Sequence, residues 1–381
     1  MRKLGETEEI LIMKVLITGA DGFIGKNLRQ HLSEHRKYEV ICFTRKDRFS
    51  DLKNKLKGVE FIFHLAGINR PKDQSEFKSG NFELTKSIIT LLESEGNKAP
   101  ILFSSSVQAE LNNDYGHSKR MAEEALVAYG KKSDVPIRIC RLPNVFGKWS
   151  KPNYNSVVAT FCHNIANDKK ITINDPNSNI RLTYIDDVID QFMSILDSSL
   201  KKTCFFSIEP TYEITVGRLA EQINKFKETQ NTLMVECVGT GLLRALYSTF
   251  ISYLPPKSFS HFVAKHSDER GDFVEMLKTK SSGQMSYFTA FPGVTRGGHY
   301  HHTKTEKFLV IKGRARFRFR HVLTGEKYEL ETSSQQQEIV ETIPGWAHDI
   351  TNIGSEELIV MLWANEVFDK ANPDTFYSLL D

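Results

Sequence analysis

A glycine-rich segment, residues 18–25, constrains the fold of this chain more than any other feature of its sequence. It reads Thr-Gly-Ala-Asp-Gly-Phe-Ile-Gly and lies between an apolar run, 14–18, and helical spacing over 23–35. Glycines there let the backbone turn tightly and approach an anionic ligand, while the helix N-terminus presents unpaired N–H groups. The segment therefore predicts a strand–turn–helix site for a dinucleotide pyrophosphate, with contacts from Gly19, Gly22, Phe23, Ile24 and Gly25.

Two patterns of hydrophobic residues divide the chain. Short apolar runs alternate with amphipathic segments from residue 13 to about residue 139, which is typical of a parallel sheet covered by helices on both faces. Beyond Pro256, short alternating segments are separated by Gly, Pro and Asn, which indicates an all-β unit. We therefore predict a Rossmann-like, doubly wound α/β domain over 13–256, an all-β barrel over 257–381, and a leader, 1–12, outside the fold.

Composition and charge exclude several classes of partner. The 381 residues include 50 basic and 47 acidic side chains, for a net charge of only +3. Such a chain is not built to neutralise many phosphates, so we expect no nucleic acid partner and one anionic small molecule as ligand. No apolar run reaches the ~18 residues that cross a bilayer. The five scattered cysteines predict reduced core thiols and hence a cytoplasmic protein with no membrane partner.

Basic residues follow the second predicted strand, where an NAD-specific protein carries an acidic residue. Arg45 and Lys46 occupy this position. Because two cations suit a 2′-phosphate, we predict NADPH as cofactor, with Arg45 as a ligand of that phosphate. Asp47 keeps open the alternative that these are ordinary surface charges.

Tyr115 and Lys119 open a predicted helix, and their spacing places the phenol and the ammonium on one helix face. A neighbouring cation favours the phenolate, so it lowers a phenol pKa that is ordinarily near 10. We expect Lys119 to do this while also holding the ribose of the cofactor. Tyr115 would then give a proton to a carbonyl oxygen as hydride reaches the carbon, and the serine run 104–106 would polarise that oxygen.

These motifs together resemble the extended short-chain dehydrogenase/reductases that act on nucleotide sugars. The segments that carry the resemblance are 18–25, His-Leu-Ala-Gly at 64–67, the serines 104–106, Tyr-x3-Lys at 115–119, Arg-Leu-Pro-Asn-Val-Phe-Gly at 141–147 and Arg-Leu-Thr-Tyr-Ile-Asp-Asp at 181–187. The resemblance implies that Leu65 and Ala66 contact the cofactor and that Ser106 is the catalytic hydroxyl. It also implies that Asn144 and Arg181 bind the substrate phosphates, a task that suits the guanidinium fork.

The sequence departs from this pattern in two places. Only eight residues separate Ser106 from Tyr115, so we expect a more open substrate pocket. The segment 45–59 is also short, which leaves the adenine-side contact open, with Asp51 as the candidate.

A histidine-rich stretch in the all-β part predicts a metal site. Residues 299–302 read His-Tyr-His-His, and Glu306 and His348 follow. On a strand, the first and third of these residues, or the second and fourth, point to the same side. Neutral imidazoles with one carboxylate suit Zn²⁺ or another divalent transition ion. We predict His302, Glu306 and His348 as ligands. His299 and His301 remain alternates. A motif with four residues between the last histidine and Glu306 favours that pair, and a motif with three residues between them favours His302.

Both halves of this site resemble the cupin motifs, although the second, 344–352, lacks one residue between Pro and Gly. A reductase followed by a cupin is similar to the bifunctional capsular-polysaccharide enzymes of the UDP-N-acetyl-L-fucosamine pathway, the CapF type. The substrate of that family is UDP-2-acetamido-2,6-dideoxy-β-L-arabino-hex-4-ulose, and its product is UDP-N-acetyl-β-L-talosamine. The resemblance implies C3 epimerisation in the cupin and then NADPH-dependent reduction at C4.

Two other functions are compatible with these motifs. In the first, the chain is a monofunctional 4-ketone reductase whose cupin serves only for dimerisation or stability. In the second, it is a non-enzymatic NADP sensor, which would have no need of the proton donor formed by Ser106, Tyr115 and Lys119. Cupin edge strands also make a homodimer an expectation.

Overall fold

The computed structural model describes residues 12–71, 73–199 and 202–380. Apart from Ile12, the predicted leader lies outside them. Contacts divide the chain into two compact units. The α/β unit comprises the described residues up to 223 together with 248–254, and the β unit comprises 224–247 together with 255–380. The prediction placed residues 224–247 in the α/β domain, whereas their contacts group them with the β unit. A short strand there, Met234–Val235, pairs with a strand of the β unit.

The first part of the chain alternates strands and helices as predicted. Its strands are β1 (Met13–Thr18), β2 (Tyr38–Phe43), β3 (Phe61–His64), β4 (Ile101–Ser106), β5 (Ile137–Leu142), β6 (Asn144–Phe146), β7 (Asn179–Tyr184), β8 (Cys204–Phe206) and β9 (Tyr212–Thr215). Its helices are α1 (Phe23–Ser33), α2 (Phe49–Lys55), α3 (Ser75–Phe77), α4 (Leu84–Glu95), α5 (Asp114–Ser133), α6 (Val157–Ala166), α7 (Ile185–Leu196), α8 (Val216–Thr232) and α9 (Gly241–Ile251).

Six strands form one parallel sheet in the order β2-β1-β3-β4-β5-β8. The strand order reverses between β1 and β3, and ligands of such sheets bind beyond the carboxyl ends of the strands at this reversal. Sheet and helices bury an apolar core, which includes Leu16, Leu52, Ile62, Ile88, Leu92, Ile101, Phe103, Leu126, Ile137 and Ile139. A second, small sheet has the order β6-β7-β9.

The remaining strands are β10 (Met234–Val235), β11 (Lys265–Asp268), β12 (Gly271–Thr279), β13 (Gly283–Ala290), β14 (Thr295–Tyr300), β15 (Glu306–Lys312), β16 (Arg314–His321), β17 (Lys327–Ser333), β18 (Ile339–Glu341), β19 (Trp346–Asn352), β20 (Leu358–Ala364) and β21 (Phe376–Tyr377). They form a seven-stranded sheet, β10-β12-β13-β20-β15-β18 with β11 paired to β12, and a five-stranded sheet, β17-β16-β19-β14-β21. Side chains from both sheets share one core, which includes Phe288, Phe308, Phe317, Phe319, Ile350 and Val360.

The predicted fold class, a doubly wound α/β unit followed by an all-β unit, is therefore confirmed. Within the described ranges, no helix is long and apolar enough to span a bilayer.

Candidate functional site

The glycine-rich loop joins the carboxyl end of β1 to α1, at the reversal of strand order. Gly19 has φ of +71°, and a Cβ atom there would lie 2.7 Å from the backbone nitrogen of Ala66. A Cβ atom on Gly25 would collide with the carbonyl oxygen of Gly19. The backbone is thus packed so closely that only glycine fits at both positions, and α1 begins directly after Gly22. The first N–H groups of α1 thus lie beside Leu65 and Ala66, and their binding of an anion stays a prediction.

A buried histidine ties this loop to the sheet. The Thr18 hydroxyl and the Nδ1 atom of His64 are 2.7 Å apart, and the Nε2 atom lies 2.9 Å from the Thr85 hydroxyl. Because the Thr85 hydroxyl donates to the carbonyl oxygen of Asn81, it accepts from His64 Nε2. Burial, with the charge of Lys119 as second cause, lowers the pKa of His64 to about 3. The imidazole is therefore neutral and holds the two loops in fixed register.

The three serines that end β4 have different partners. The backbone oxygen of Ser104 accepts a hydrogen bond of 2.7 Å from Lys119 Nζ. The Ser105 hydroxyl donates to the Glu123 carboxylate at 2.5 Å, and Arg141 binds the same carboxylate through two nitrogens. Ser105 is thus committed to a buried ion pair. The remaining hydroxyl, Ser106, interacts with the Tyr115 phenol, and its role as the catalytic hydroxyl stays a prediction.

Tyr115 and Lys119 lie one turn apart on α5, and the structure brings both to the carboxyl end of β4. Lys119 is 4% exposed, its Nζ lies 4.5 Å from the centroid of the Phe103 ring, and a Cβ atom added to Gly67 would lie 3.3 Å from that Nζ. Burial lowers the pKa of Lys119 to about 8, partly offset by Glu123. Burial also raises the pKa of Tyr115, and the hydrogen bond with Ser106 offsets this only in part. The expected lowering of the Tyr115 pKa by Lys119 is therefore not seen.

Arg45 and Lys46 are exposed at the end of β2, as predicted for a 2′-phosphate site. The neighbouring Asp47 carboxylate already has two partners, because it accepts from the Thr44 N–H at 2.7 Å and pairs with Lys55 at 2.9 Å. The Asp51 carboxylate accepts from the Arg48 N–H at 3.0 Å and so caps α2. Its adenine-side role stays a prediction.

Asn144 and Arg181 are brought together by the small sheet, in which β6 and β7 are parallel neighbours. The Asn144 Nδ2 atom donates to the backbone oxygen of Arg181 at 3.3 Å. The exposed Arg181 guanidinium is held by the Thr211 hydroxyl at 3.0 Å. Their predicted substrate contacts are thus available on one face.

Sequence reasoning missed two buried residues of this site. Glu123 follows Tyr115 and Lys119 at the same four-residue spacing, and that spacing is the signal that could have found it. Asn81 is 2% exposed and binds the Ser118 hydroxyl at 2.9 Å and the Ile68 N–H at 2.8 Å. A single Asn within an amphipathic stretch carried no signal.

Four ligand-type side chains converge in the β unit. One ligand atom from each of His299, His301, Glu306 and His348 lies within 4.8 Å of the others. His299 pairs directly with His348 across β14 and β19, and Glu306 opens β15 in the other sheet. The Glu306 Oε2 atom lies 3.2 Å from His301 Nε2 and 3.4 Å from His348 Nε2. We call these four residues the histidine cluster.

His302, which the sequence favoured as a ligand, lies outside this cluster. Its side chain is exposed and packs edge-to-face against Phe376, with ring centroids 4.7 Å apart. The structure does not place His302 with the other histidines: β14 ends at Tyr300, and directly after it His301 is buried while His302 is exposed. The two alternates therefore replace it, and metal binding by the cluster stays a prediction.

Charges within the histidine cluster are strongly perturbed. Burial lowers the pKa of His299 to about 3, and the neighbouring His348 lowers it further. For Glu306, burial favours the protonated form, but hydrogen bonds with His301 and His348 and the nearby Lys304 outweigh it and lower the pKa. The cluster thus combines a buried carboxylate anion with neutral imidazole.

Both units match known families. A model described as the NAD dependent epimerase/dehydratase family matches residues 15–205, and one described as the polysaccharide biosynthesis C-terminal domain matches 266–376. The UDP-2-acetamido-2,6-beta-L-arabino-hexul-4-ose reductase of Pseudomonas aeruginosa is 57% identical over 364 residues, which are 96% of this chain and 98% of that protein. The chain belongs to the CapF-type family.

Solved structures of that family have the same fold. The capsular polysaccharide assembling protein CapF from Staphylococcus aureus is 38% identical, with a TM-score of 0.89 over 96% of this chain and 100% of that one. CapF with the inhibitor 3-isopropenyl-tropolone is 34% identical, with a TM-score of 0.84 over the same shares. Membership of the CapF type confirms the family that the motifs indicated, and it covers both units.

Proposed function

We propose that this CapF-type chain is a bifunctional enzyme of capsular polysaccharide synthesis. Its β unit, a cupin, epimerises C3 of UDP-2-acetamido-2,6-dideoxy-β-L-arabino-hex-4-ulose. Its α/β unit then reduces the C4 ketone with NADPH to give UDP-N-acetyl-β-L-talosamine. The name of the Pseudomonas aeruginosa relative supports a UDP-keto-sugar reductase, and the hydrogen-bonded pair of Ser106 and Tyr115 above buried Lys119 carries the proposal.

The reductive step uses the groups that end β4 and begin α5. When bound, the reduced nicotinamide supplies hydride to the C4 carbon. Tyr115 donates its phenolic proton to the C4 oxygen, and the Ser106 hydroxyl orients the phenol and polarises that oxygen. Lys119, fixed by its hydrogen bond to the Ser104 backbone oxygen, supplies the positive charge that favours the phenolate left behind.

Tyr115→Phe tests the proton donor. Removing the phenolic hydroxyl should lower substrate-dependent NADPH oxidation about 10²- to 10⁴-fold while NADPH still binds. Tyr129→Phe is a matched control, because Tyr129 lies on the same helix with its hydroxyl bound to the backbone oxygen of Asn97. Normal turnover by Tyr115→Phe would rule out this role. An NADP sensor would instead show no substrate-dependent oxidation in the unmodified chain.

The residues of the histidine cluster fit a divalent transition ion such as Zn²⁺. The His301 Nδ1–H donates to the backbone oxygen of Asp374, so in the neutral ring it is the Nε2 lone pair that faces the Glu306 carboxylate at 3.2 Å. Two acceptors that face each other require a cation or a proton between them. His348 adds a buried Nδ1 atom that has no hydrogen-bond partner among the described residues. His299, His301, Glu306 and His348 would hold the ion, which would supply Lewis acidity to a developing enolate.

Epimerisation needs a base and an acid beside the C3 carbon. The C4 ketone acidifies the C3 proton, so a histidine base can remove it to give an enolate, and reprotonation on the other face inverts the centre. Reduction at C4 removes the ketone and therefore fixes the new configuration.

NMR of the keto-sugar in D₂O separates the bifunctional enzyme from a monofunctional reductase. The full chain without NADPH should exchange the C3 proton for deuterium, and Tyr115→Phe should retain this exchange. Glu306→Gln should lose it, whereas the exposed Glu341→Gln, also in the seven-stranded sheet, should not. Absence of exchange in the unmodified chain would favour a structural or dimerising cupin. The homodimer itself stays a prediction for sedimentation to test.

A further inference from the structure

A carboxylate near the C-terminus holds the loop that joins two members of the histidine cluster. This loop, residues 302–305, runs from His301 to Glu306. The Oδ1 atom of Asp374 accepts the His302 N–H at 2.9 Å. Its Oδ2 atom accepts the N–H groups of Thr303 at 2.7 Å and Lys304 at 2.8 Å, and also the Thr303 hydroxyl at 2.9 Å. One side chain thus receives four hydrogen bonds from three consecutive residues.

The backbone of the same residue fixes a ring of the cluster. The carbonyl oxygen of Asp374 accepts from His301 Nδ1 at 2.5 Å. This bond selects the tautomer whose Nε2 lone pair points at the Glu306 carboxylate. Partners of this kind orient a ligating imidazole and raise its basicity.

The C-terminal segment that carries Asp374 is itself anchored to the five-stranded sheet. Strand β21 pairs with β14, placing Tyr377 opposite His299, and the Ser378 N–H donates to the Gly298 oxygen at 2.8 Å. Arg320 on β16 donates to the backbone oxygen of Leu379 at 2.7 Å. The acceptor groups of Asp374 are therefore held against the same strand that supplies His299.

We infer that Asp374 is a positioning residue for the metal site of the β unit, fixing the distance and orientation of His301 relative to Glu306. The inference rests on the proposed function, because it requires that the cluster bind an ion. The side chain of Asp374 acts through the three backbone N–H groups and the hydroxyl that donate to it. Its negative charge suits a turn that presents four donors at one point. Asp374 is not itself a member of the histidine cluster.

The test measures the dissociation constant of Zn²⁺ alone for the full chain, by competition with a chromophoric chelator. Asp374→Ala should weaken zinc binding about 10- to 100-fold. Asp369→Ala is the matched control, because Asp369 lies on the same segment but only caps the Ala371 N–H, and it should stay within about twofold of the unmodified chain. The melting temperature without zinc, measured in parallel, separates positioning from general destabilisation.

The zinc affinities separate the positioning role of Asp374 from the proposed metal site itself. Equal zinc affinity of Asp374→Ala and the unmodified chain overturns the inference, even if the melting temperature falls. Absence of zinc binding in the unmodified chain overturns the proposed metal site instead. If Asp374→Ala does not fold, Asp374→Asn serves, since its amide places a donor against one of the N–H groups. That variant should also bind zinc several-fold more weakly, and an unchanged affinity overturns the inference.

Discussion

The Nζ atom of Lys119 donates a hydrogen bond of 2.7 Å to the backbone oxygen of Ser104, at the carboxyl end of β4. This bond holds a buried ammonium at the carboxyl edge of the sheet, where the loops after β1 and β3 also begin. Because burial lowers the pKa of Lys119 to about 8, its charge is most sensitive to pH just above neutrality.

We expect the reductase reaction to lose activity above pH 8. Lys119 is cationic below a pKa of about 8 and neutral above it, so kcat/KM should be level from pH 6 to 7.5 and then fall about tenfold per pH unit. Tyr115, whose pKa is raised, does not titrate in this window. Lys131→Ala, a change in the last turn of the same helix, should leave the profile unchanged. A flat profile to pH 10 would contradict the role given to Lys119.

Arg45→Ala should weaken the binding of NADPH more than the binding of NADH. The substitution removes a cation from the predicted 2′-phosphate site, so the KM for NADPH should rise about tenfold, while the KM for NADH stays within about twofold. Lys53→Ala is the control, because its exposed ammonium pairs with Glu95. Steady-state kinetics with both cofactors give the comparison. A chain that prefers NADH from the start would show that these charges are ordinary surface charges.

Neighbouring histidines should respond oppositely to the same substitution. His301→Ala removes a member of the histidine cluster and should lower bound zinc to well below one ion per chain. His302→Ala removes an exposed ring that packs edge-to-face against Phe376 and should leave zinc binding within about twofold. Metal analysis after gel filtration measures both. The reverse result would restore the ligand set that the sequence favoured.

His64 should make the α/β unit sensitive to acid. The pKa of His64 is about 3 in the folded chain, against 6.5 in the unfolded chain. The contribution of the neutral imidazole to the free energy of unfolding is therefore fully present above pH 6.5 and is lost as the pH falls toward 3. The slope from one such group is at most about 1.4 kcal/mol per pH unit. His64→Gln should therefore show a weaker fall in melting temperature between pH 7 and pH 5. Parallel curves for the two proteins would contradict the buried neutral imidazole.

The α/β unit was predictable because each local signal agreed with the next. Buried strands, the glycine loop and the Tyr115–Lys119 spacing all act over short stretches, where periodicity and backbone conformation decide the structure. Glu123 and Asn81 escaped because their roles depend on partners far along the chain, such as Arg141 and Ile68.

The β unit was less predictable. Strands over 283–290, 306–312 and 358–364 alternate clearly, and they form close to where the pattern indicates. Strand β14 contains two glycines, Gly297 and Gly298, and shifts register between Gly297 and His299. Such an irregularity hides which histidines face inward, so the choice between His301 and His302 needed the structure. The domain boundary likewise depended on β10, a strand of only two residues.

The histidine cluster draws on both sheets of the β unit, since His299 and His348 lie in the five-stranded sheet and Glu306 in the seven-stranded one. An ion bound there would cross-link the two sheets in addition to the apolar core that they share. A ligand present at a thousand times its dissociation constant adds about 4 kcal/mol to the stability of the state that binds it. Supply of the ion would then regulate the lifetime of the protein as well as its catalysis. In a zinc-starved cell, the enzyme would be lost by unfolding and proteolysis.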